Sequence, residues 1–82
     1  MSRLARWLLF QLGRDVTRDQ ALEIARTACE ARGAPWLEPI KVYRHYGDWA
    51  VWTFANHRGG NVRVIVDGGT GHVKRLEGPT PR

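Results

Sequence analysis

The stretch V-R-V-I-V-D-G-G-T-G-H-V, residues 62–73, decides the fold class of this chain. Three valines alternate with three other residues along positions 62–67, the period of two that places successive side chains on opposite faces of a sheet. Asp67 can then accept hydrogen bonds from backbone amides two and three residues on, and Gly71 can adopt a positive φ without a Cβ penalty. The extended pattern resumes at Val73. The stretch therefore predicts a β-hairpin whose structural turn is formed by Asp67, Thr70 and Gly71.

The segment 17–33 carries the signals of one amphipathic helix. Thr17 and Gln20 have the spacing of a capping box, in which each side chain bonds to the backbone amide of the other residue. Gly33 supplies a left-handed cap, and Pro35 prevents the helix from resuming. Apolar side chains fall on one half of the helical wheel and several are alanine, so this face is predicted to pack closely on a flat sheet.

Two more strands are predicted at residues 40–46 and 49–55, which are rich in β-branched and aromatic residues. The intervening pair Gly47-Asp48 suits a two-residue hairpin turn, so the two strands are predicted to pair antiparallel. In that register the opposed pairs are Tyr46 and Trp49, Arg44 and Val51, Tyr43 and Trp52, Val42 and Thr53, Lys41 and Phe54, and Ile40 and Ala55.

The loop 57–60 determines which face of the sheet the valines of residues 62–66 occupy. A loop of four residues puts them on the side of Val42 and Val51, and a change of one residue would move them to the side of Trp52. The sequence leaves both arrangements open.

Together these elements predict an α+β fold, with one main helix packed on a three- to four-stranded antiparallel sheet. Residues 1–14 are predicted to form a short N-terminal amphipathic helix, residues 15–77 the α+β domain, and residues 78–82 a flexible tail. The chain has 82 residues, which suits a single domain with a thin core.

The N-terminal segment has a leucine stripe with arginines beside it. Leu4, Leu8 and Leu12 align on a helical wheel, with Arg6 opposite them. The apolar run at residues 7–10 is too short for an export signal or a membrane span, so the expected compartment is the cytoplasm. This helix is expected to pack on the domain, on a partner, or on a membrane surface through residues 3–12.

One helix cannot cover both faces of the predicted sheet, because apolar side chains lie on both. We therefore expect the second face to be covered by the N-terminal helix, by a second copy of the chain, or by a partner protein. The expected partner-binding residues are aromatic, since such side chains often dominate binding surfaces. They are Trp36, Tyr43, Trp49, Trp52 and Phe54.

From about Thr17 to Leu76 the chain resembles the PepSY domain family. The likeness is carried by a T-x-x-x-A-x-x-I-A helix start at Thr17, and by V-D-G-G-T-G-H-V, which holds the structural turn. A family of small bacterial toxin-immunity proteins looks similar over the same span. The resemblance implies a binding module that inhibits or regulates a protease, or one that neutralises a toxin, and it supplies no catalytic residue. PepSY domains are usually exported or membrane-anchored, so the N-terminal segment moves the expectation toward a cytoplasmic binding role.

The residues show no arrangement typical of an enzyme. His45, His57 and His72 lack the helical spacing of a zinc site, and Cys29 falls on the apolar helix face with no activating base. We therefore expect no catalytic residue, cofactor or metal.

Nucleic-acid binding is the remaining alternative, because the chain has 13 Lys and Arg against 8 acids and a net charge of +5. It requires the basic side chains of Arg44, Arg58, Arg63 and Arg75 to converge on one surface.

Overall fold

The computed structural model describes residues 15–78. These residues form one helix and four strands, in the order α1 (Arg18–Arg32), β1 (Lys41–His45), β2 (Asp48–Trp52), β3 (Arg63–Val66) and β4 (Val73–Glu77). The strands make one antiparallel sheet in the order β1-β2-β3-β4. The predicted α+β fold with one main helix on an antiparallel sheet is confirmed, with four strands. The predicted N-terminal helix and residues 79–82 of the predicted tail lie outside the described residues.

Helix α1 begins and ends where its capping residues predict. Thr17 Oγ1 accepts from the amide of Gln20 at 3.1 Å, and Gln20 Oε1 accepts from the amide of Thr17 at 2.8 Å. Gly33 closes the helix with a φ of 70°. The side chains that α1 buries completely are small, namely Ala21, Ala25 and Cys29, so the helix axis can approach the sheet closely.

The β1–β2 turn lies one residue earlier than the sequence pattern predicts. Tyr46 and Gly47 are the two central residues, with φ of 51° and 82°, the left-handed pair that a type I′ turn requires. The predicted Gly47-Asp48 turn is therefore wrong, and so are the pairings derived from it. The observed pairs are Lys41 with Trp52, Val42 with Val51, Tyr43 with Ala50, Arg44 with Trp49 and His45 with Asp48.

The error shifts every partner by two residues and so leaves the faces of the strands as predicted, because side chains alternate with a period of two. Its cause is Asp48, which belongs to β2 and not to the turn. The carboxylate of Asp48 lies 2.9 Å from Lys74 Nζ, and its other oxygen accepts weakly from the amide of Gly68 at 3.4 Å.

The valines of residues 62–66 lie on the same face as Val42 and Val51, which resolves the alternative left open by the loop. Val51 pairs with Val64, and the amide of Val62 donates to the fully buried Oγ1 of Thr53 at 2.8 Å. This face packs on α1 and forms the core. The buried core residues are Val16, Ala21, Ala25, Cys29, Val51, Val62, Val64 and Val66.

The turn between β3 and β4 has the predicted chemistry. Asp67 Oδ1 accepts from the amides of Gly69 at 2.8 Å and Thr70 at 2.9 Å. Gly71 has a φ of 79° and donates its amide to the carbonyl of Asp67 at 2.9 Å. The structural turn assigned to Asp67, Thr70 and Gly71 is therefore present.

The two hairpins touch at one end of the sheet through glycine. A Cβ on Gly68 would collide with the carbonyl oxygen of Gly47, so the two backbones can approach only because residue 68 has no side chain. The carbonyl of Gly68 also accepts from the amide of Val16 at 2.8 Å, which ties the chain leading into α1 to the same point.

We expect Gly68→Ala to lower the free energy of unfolding by about 1 to 3 kcal/mol, because the new methyl group must push two backbones apart. Gly69→Ala is the matched control. A Cβ there would meet only Asp67 Oδ1, at 3.4 Å, so the change should stay within about 0.5 kcal/mol. Urea unfolding of both variants measures the difference, and equal stabilities would contradict the close contact.

Candidate protein-binding surface

The face of the sheet opposite α1 carries the partly exposed side chains of Tyr43 and Trp52. We call it the aromatic face, and it is formed by alternate residues of the four strands: Lys41, Tyr43, His45, Asp48, Ala50, Trp52, Arg63, Ile65, Arg75 and Glu77. Within residues 15–78 no helix packs on it, since α1 lies on the valine face. Ala50 and Ile65 are buried at its centre, whereas Tyr43 and Trp52 are partly exposed around them.

Trp52 and Arg63 form a cross-strand pair on this face. The guanidinium carbon of Arg63 lies 5.8 Å from the centroid of the Trp52 ring. Trp52 Nε1 and Arg63 Nε are both buried, and neither has a hydrogen-bond partner. A buried donor left without an acceptor costs about 1 to 3 kcal/mol, so this pair does not owe its place to hydrogen bonding within residues 15–78.

An aromatic strip runs along β1 and into the hairpin turn. The rings of Tyr43 and His45 are 6.4 Å apart and those of His45 and Tyr46 are 4.6 Å apart, both in edge-to-face arrangement. Lys41 Nζ stands 5.7 Å from the centroid of Tyr43 at the other end. The strip therefore joins the aromatic face to the tip of the hairpin.

Tyr46 at the tip is the most unusual residue of the strip. Its side chain is 94% exposed, and its φ of 51° is a left-handed conformation that a residue with a large side chain rarely adopts. Neither burial nor backbone preference explains a tyrosine here, since Asn or Gly would suit the turn better. Strained and exposed residues of this kind concentrate at functional sites.

Sequence reasoning missed Tyr46 because it placed the turn at Gly47-Asp48. The available signal was Gly47 itself. In a type I′ turn glycine commonly follows the first left-handed residue, as in Asn-Gly, and that pattern puts Tyr46 in the turn.

An ionic cluster holds the hairpin tip against the β3–β4 turn. Lys74 Nζ lies 2.9 Å from Asp48 Oδ2 and 3.8 Å from Asp67 Oδ2. The amides of Thr70 and Gly69 lower the pKa of Asp67, and the hydrogen bond and charge of Asp48 raise the pKa of Lys74. Both shifts favour the charged forms, so the cluster stabilises the position of the tip near neutral pH.

The five predicted partner-binding residues do not share one surface. Tyr43 and Trp52 lie on the aromatic face. Trp49 lies on the valine face, where its Nε1 donates to the carbonyl of Val16 at 2.8 Å. Trp36 packs against the core beside α1, and Phe54 lies in the loop after β2, stacked on His57 with ring centroids 3.7 Å apart.

The four arginines named for nucleic-acid binding are also divided. Arg63 and Arg75 lie on the aromatic face. Arg44 lies on the opposite face, with its guanidinium carbon 4.7 Å from the centroid of Trp49, and Arg58 is in the loop between β2 and β3.

Residues 15–78 contain no group of three or more His, Cys, Asp and Glu side chains placed to hold a metal ion. Cys29 is buried, and desolvation raises the pKa of its thiol, which disfavours the reactive thiolate. No helix in this part of the chain has the length and apolar character needed to cross a bilayer.

Comparisons of the chain with protein-family models, with curated proteins and with solved structures found no match.

The ionic cluster predicts a pH dependence of stability. Asp67 has a lowered pKa in the folded chain, so its contribution is present above its unfolded pKa of about 3.9 and is lost as the pH falls through the folded value. Asp67→Asn keeps an oxygen for the two amides but cannot titrate. We therefore expect the melting temperature of this variant to fall less steeply than that of the wild type between about pH 5 and pH 2.

Glu77→Gln removes a carboxylate elsewhere on the same hairpin and controls for the loss of one negative charge. Asp67→Ala removes the acceptor altogether and should lower the melting temperature at pH 7. Identical pH profiles for wild type and Asp67→Asn would show that the carboxylate charge does not stabilise this turn.

Proposed function

We propose that this chain is a non-catalytic protein-binding module that inhibits or regulates a partner of the protease or toxin class. In this proposal the partner lies on the aromatic face and the tip of the β1–β2 hairpin. The PepSY-like pattern of the sequence is part of the proposal, as is a cytoplasmic setting.

The observation that carries the proposal is the exposure of Tyr46 in a left-handed conformation. A non-glycine residue pays roughly 1 to 2 kcal/mol for such a backbone, and a fully exposed ring recovers little of it within the monomer. In a complex the same ring would be buried, and tyrosine is among the residues that most often dominate binding energy. The type I′ turn also holds the backbone that carries the ring before binding, which reduces the entropy lost on association.

The unpartnered donors of Trp52 and Arg63 support a partner that offers acceptors. Backbone carbonyls or carboxylates of a partner would satisfy them once the Arg63 side chain shifts, and Arg75 adds a further cation on the same face. The face carries three cations, Lys41, Arg63 and Arg75, against the carboxylates of Asp48 and Glu77, the latter 3.5 Å from Arg75. Because the cations are in excess, a partner surface with acidic side chains around an apolar centre fits this face best.

Two other functions would involve a different kind of partner. An immunity-type role, in which the partner is a toxin, would use the same face and is a special case of the proposal. Nucleic-acid binding is less favoured, because Arg44 and the pair Arg63 and Arg75 lie on opposite faces of the sheet.

Tyr46→Asn separates binding from stability. Asn-Gly is the preferred sequence of a type I′ turn, so relief of backbone strain should offset the lost contact with His45, and the free energy of unfolding should stay within about 0.5 kcal/mol of the wild type. Affinity for the partner should fall at least tenfold, about 1.4 kcal/mol, because the anchor is removed.

The measurement is crosslinking of wild-type and variant chains in an extract of the source cells, followed by binding of the purified partner. Leu37→Asn is the matched control. Leu37 is also an exposed apolar residue, at 42%, but it lies outside the aromatic face, so its variant should bind as the wild type does. If every protein retained by the wild type is retained equally by Tyr46→Asn, the proposal is wrong. Binding of a mixed-sequence oligonucleotide that weakens steeply with salt would favour the nucleic-acid alternative.

A further inference from the structure

Strand β1 is an outer edge of the sheet, and every second residue along it turns its backbone amide and carbonyl away from β2. The amide of Thr53 donates to the carbonyl of the residue before β3 at 2.9 Å, which fixes the residues of β2 that bond to β3. The residues between them bond to β1, and Ala50, the partner of Tyr43, is one of these. Val42 and Arg44, on either side of Tyr43, therefore turn their backbone groups outward. Within residues 15–78 these groups have no hydrogen-bond partner.

The other edge of the sheet, β4, is irregular where β1 is regular. Its pairing with β3 shifts between Ile65 and Val66, and Lys74 is the extra residue of the resulting bulge. The side chain of Lys74 is also held by Asp48 and Asp67. Bulges and charged side chains are among the features that prevent a further strand from adding to a sheet. All five residues of β1 pair with β2 without a shift, so β1 is the edge that can accept another strand.

We propose that β1 pairs antiparallel with β1 of a second copy of this chain, about a two-fold axis at Tyr43. In this register Val42 of each copy lies opposite Arg44 of the other, and the two residues exchange both of their outward hydrogen bonds. The whole of β1, from Lys41 to His45, then lies within the paired segment. Each copy contributes the same surface, so the contact closes as a dimer and the two sheets become one.

The side chains of β1 favour this register over the neighbouring ones. The two Tyr43 rings lie next to each other on the aromatic face, and cross-strand aromatic pairs stabilise a sheet. Lys41 lies opposite His45 of the second copy. Arg44 lies opposite Val42, whereas an axis at Arg44 would place the two guanidinium groups opposite each other, which is destabilising. An axis at Val42 would leave His45 outside the overlap of the two strands.

The helix side of the β1 edge is less covered than the rest of the sheet. Helix α1 packs less on β1 than on β2, β3 and β4, and Val42 is only partly buried. In the dimer, the aliphatic part of the Arg44 side chain of the second copy would cover Val42, while its guanidinium remains beside Trp49 of its own chain. The contact therefore buries apolar surface on both faces of the sheet.

The dimer would extend the aromatic face across both copies. Tyr43 and Trp52 of each copy would lie on one continuous surface, with the two Tyr43 rings at its centre. The paired segment ends at His45, so Tyr46 in the turn stays outside it. The dimer therefore does not depend on the proposed protein-binding function, and either can fail without the other.

The first test is the association of the full chain. We expect sedimentation equilibrium to show a monomer and a dimer with a Kd on the order of 0.1 mM, because a single edge contact is a small interface. Arg44→Pro removes the outward amide, and Arg44→Ala, the matched control, loses the same side chain but keeps the amide. The proline variant should dimerise at least about tenfold more weakly than the alanine variant. No hydrogen bond within residues 15–78 uses this amide, so proline should be tolerated at this edge position, and urea unfolding checks that both variants fold.

A pair of cysteine variants tests the register without proline. Tyr43→Cys places the two new thiols in a non-hydrogen-bonded pair, whose Cα atoms lie about 4.5 Å apart, within the range of a disulfide. Lys41→Cys is the control on the same edge, because the two copies of residue 41 lie about 13 Å apart in this register. Under mild oxidation, Tyr43→Cys should form a disulfide-linked dimer at least about tenfold faster than Lys41→Cys. The native Cys29 is buried, so its thiol is kept from the reaction.

Several results would overturn the inference. A chain that stays monomeric up to about 1 mM does not pair through this edge. A dimer that Arg44→Pro and Arg44→Ala form equally well, or that links at least as fast through Lys41→Cys, is held together in another way. If Arg44→Pro does not fold, the two oxidation rates decide.

Two further measurements locate a dimer that forms elsewhere. Loss of the dimer in Tyr46→Asn, with the dimer kept in Arg44→Pro, would assign the contact to the hairpin tip. Hydrogen-exchange protection that rises with protein concentration should appear at Val42 and Arg44. Protection that rises only in residues 1–14 would assign the contact to that segment and overturn the edge pairing.

Discussion

The architecture depends on the contact between Gly68 and the backbone of Gly47, where the ends of the two hairpins meet. No residue with a Cβ can occupy position 68 in this geometry. The contact fixes where β1 turns into β2, and the salt bridge from Asp48 to Lys74 crosses the same junction. The carbonyl of Gly68 also holds Val16, so the start of α1 is set at this point. A single close approach thus positions both the hairpin tip and the helix.

The hairpin tip carries a residue that does not suit the backbone of its own turn. The left-handed Tyr46 weakens the turn relative to Asn or Gly, yet the turn persists because Gly47 supplies the second left-handed residue and Asp48 is tied to the neighbouring turn. Contacts of the neighbouring residues therefore hold the turn, and its formation does not depend on which side chain residue 46 carries. The exposed tyrosine at this position is therefore the basis of the proposed binding role.

Signals within a few residues of one another predicted the structure well. The capping box at Thr17, the Asp67 turn and the period of the strands all depend on local hydrogen bonds or on side-chain alternation, and each is present. The β1–β2 turn could not be placed in this way, because the choice between Tyr46-Gly47 and Gly47-Asp48 is made by contacts of Asp48 with residues 20 and 26 positions later. The same limit applies to the site. The sequence does not distinguish Trp49 from Trp52. Only the face of β2 on which each lies shows that Trp49 packs on the core and that Trp52 lies on the aromatic face.

The aromatic face carries charges of both signs around its apolar centre. Lys41, Arg63 and Arg75 supply the cations, and Asp48 and Glu77 supply the carboxylates. Glu77 lies 3.5 Å from Arg75, so part of the positive charge is already balanced within the chain. In the proposed complex, a partner would meet these charges at a distance of a few ångströms, where salt screens them little. The aromatic centre would then supply the affinity, and the excess of cations around it would favour a partner that is acidic at its rim.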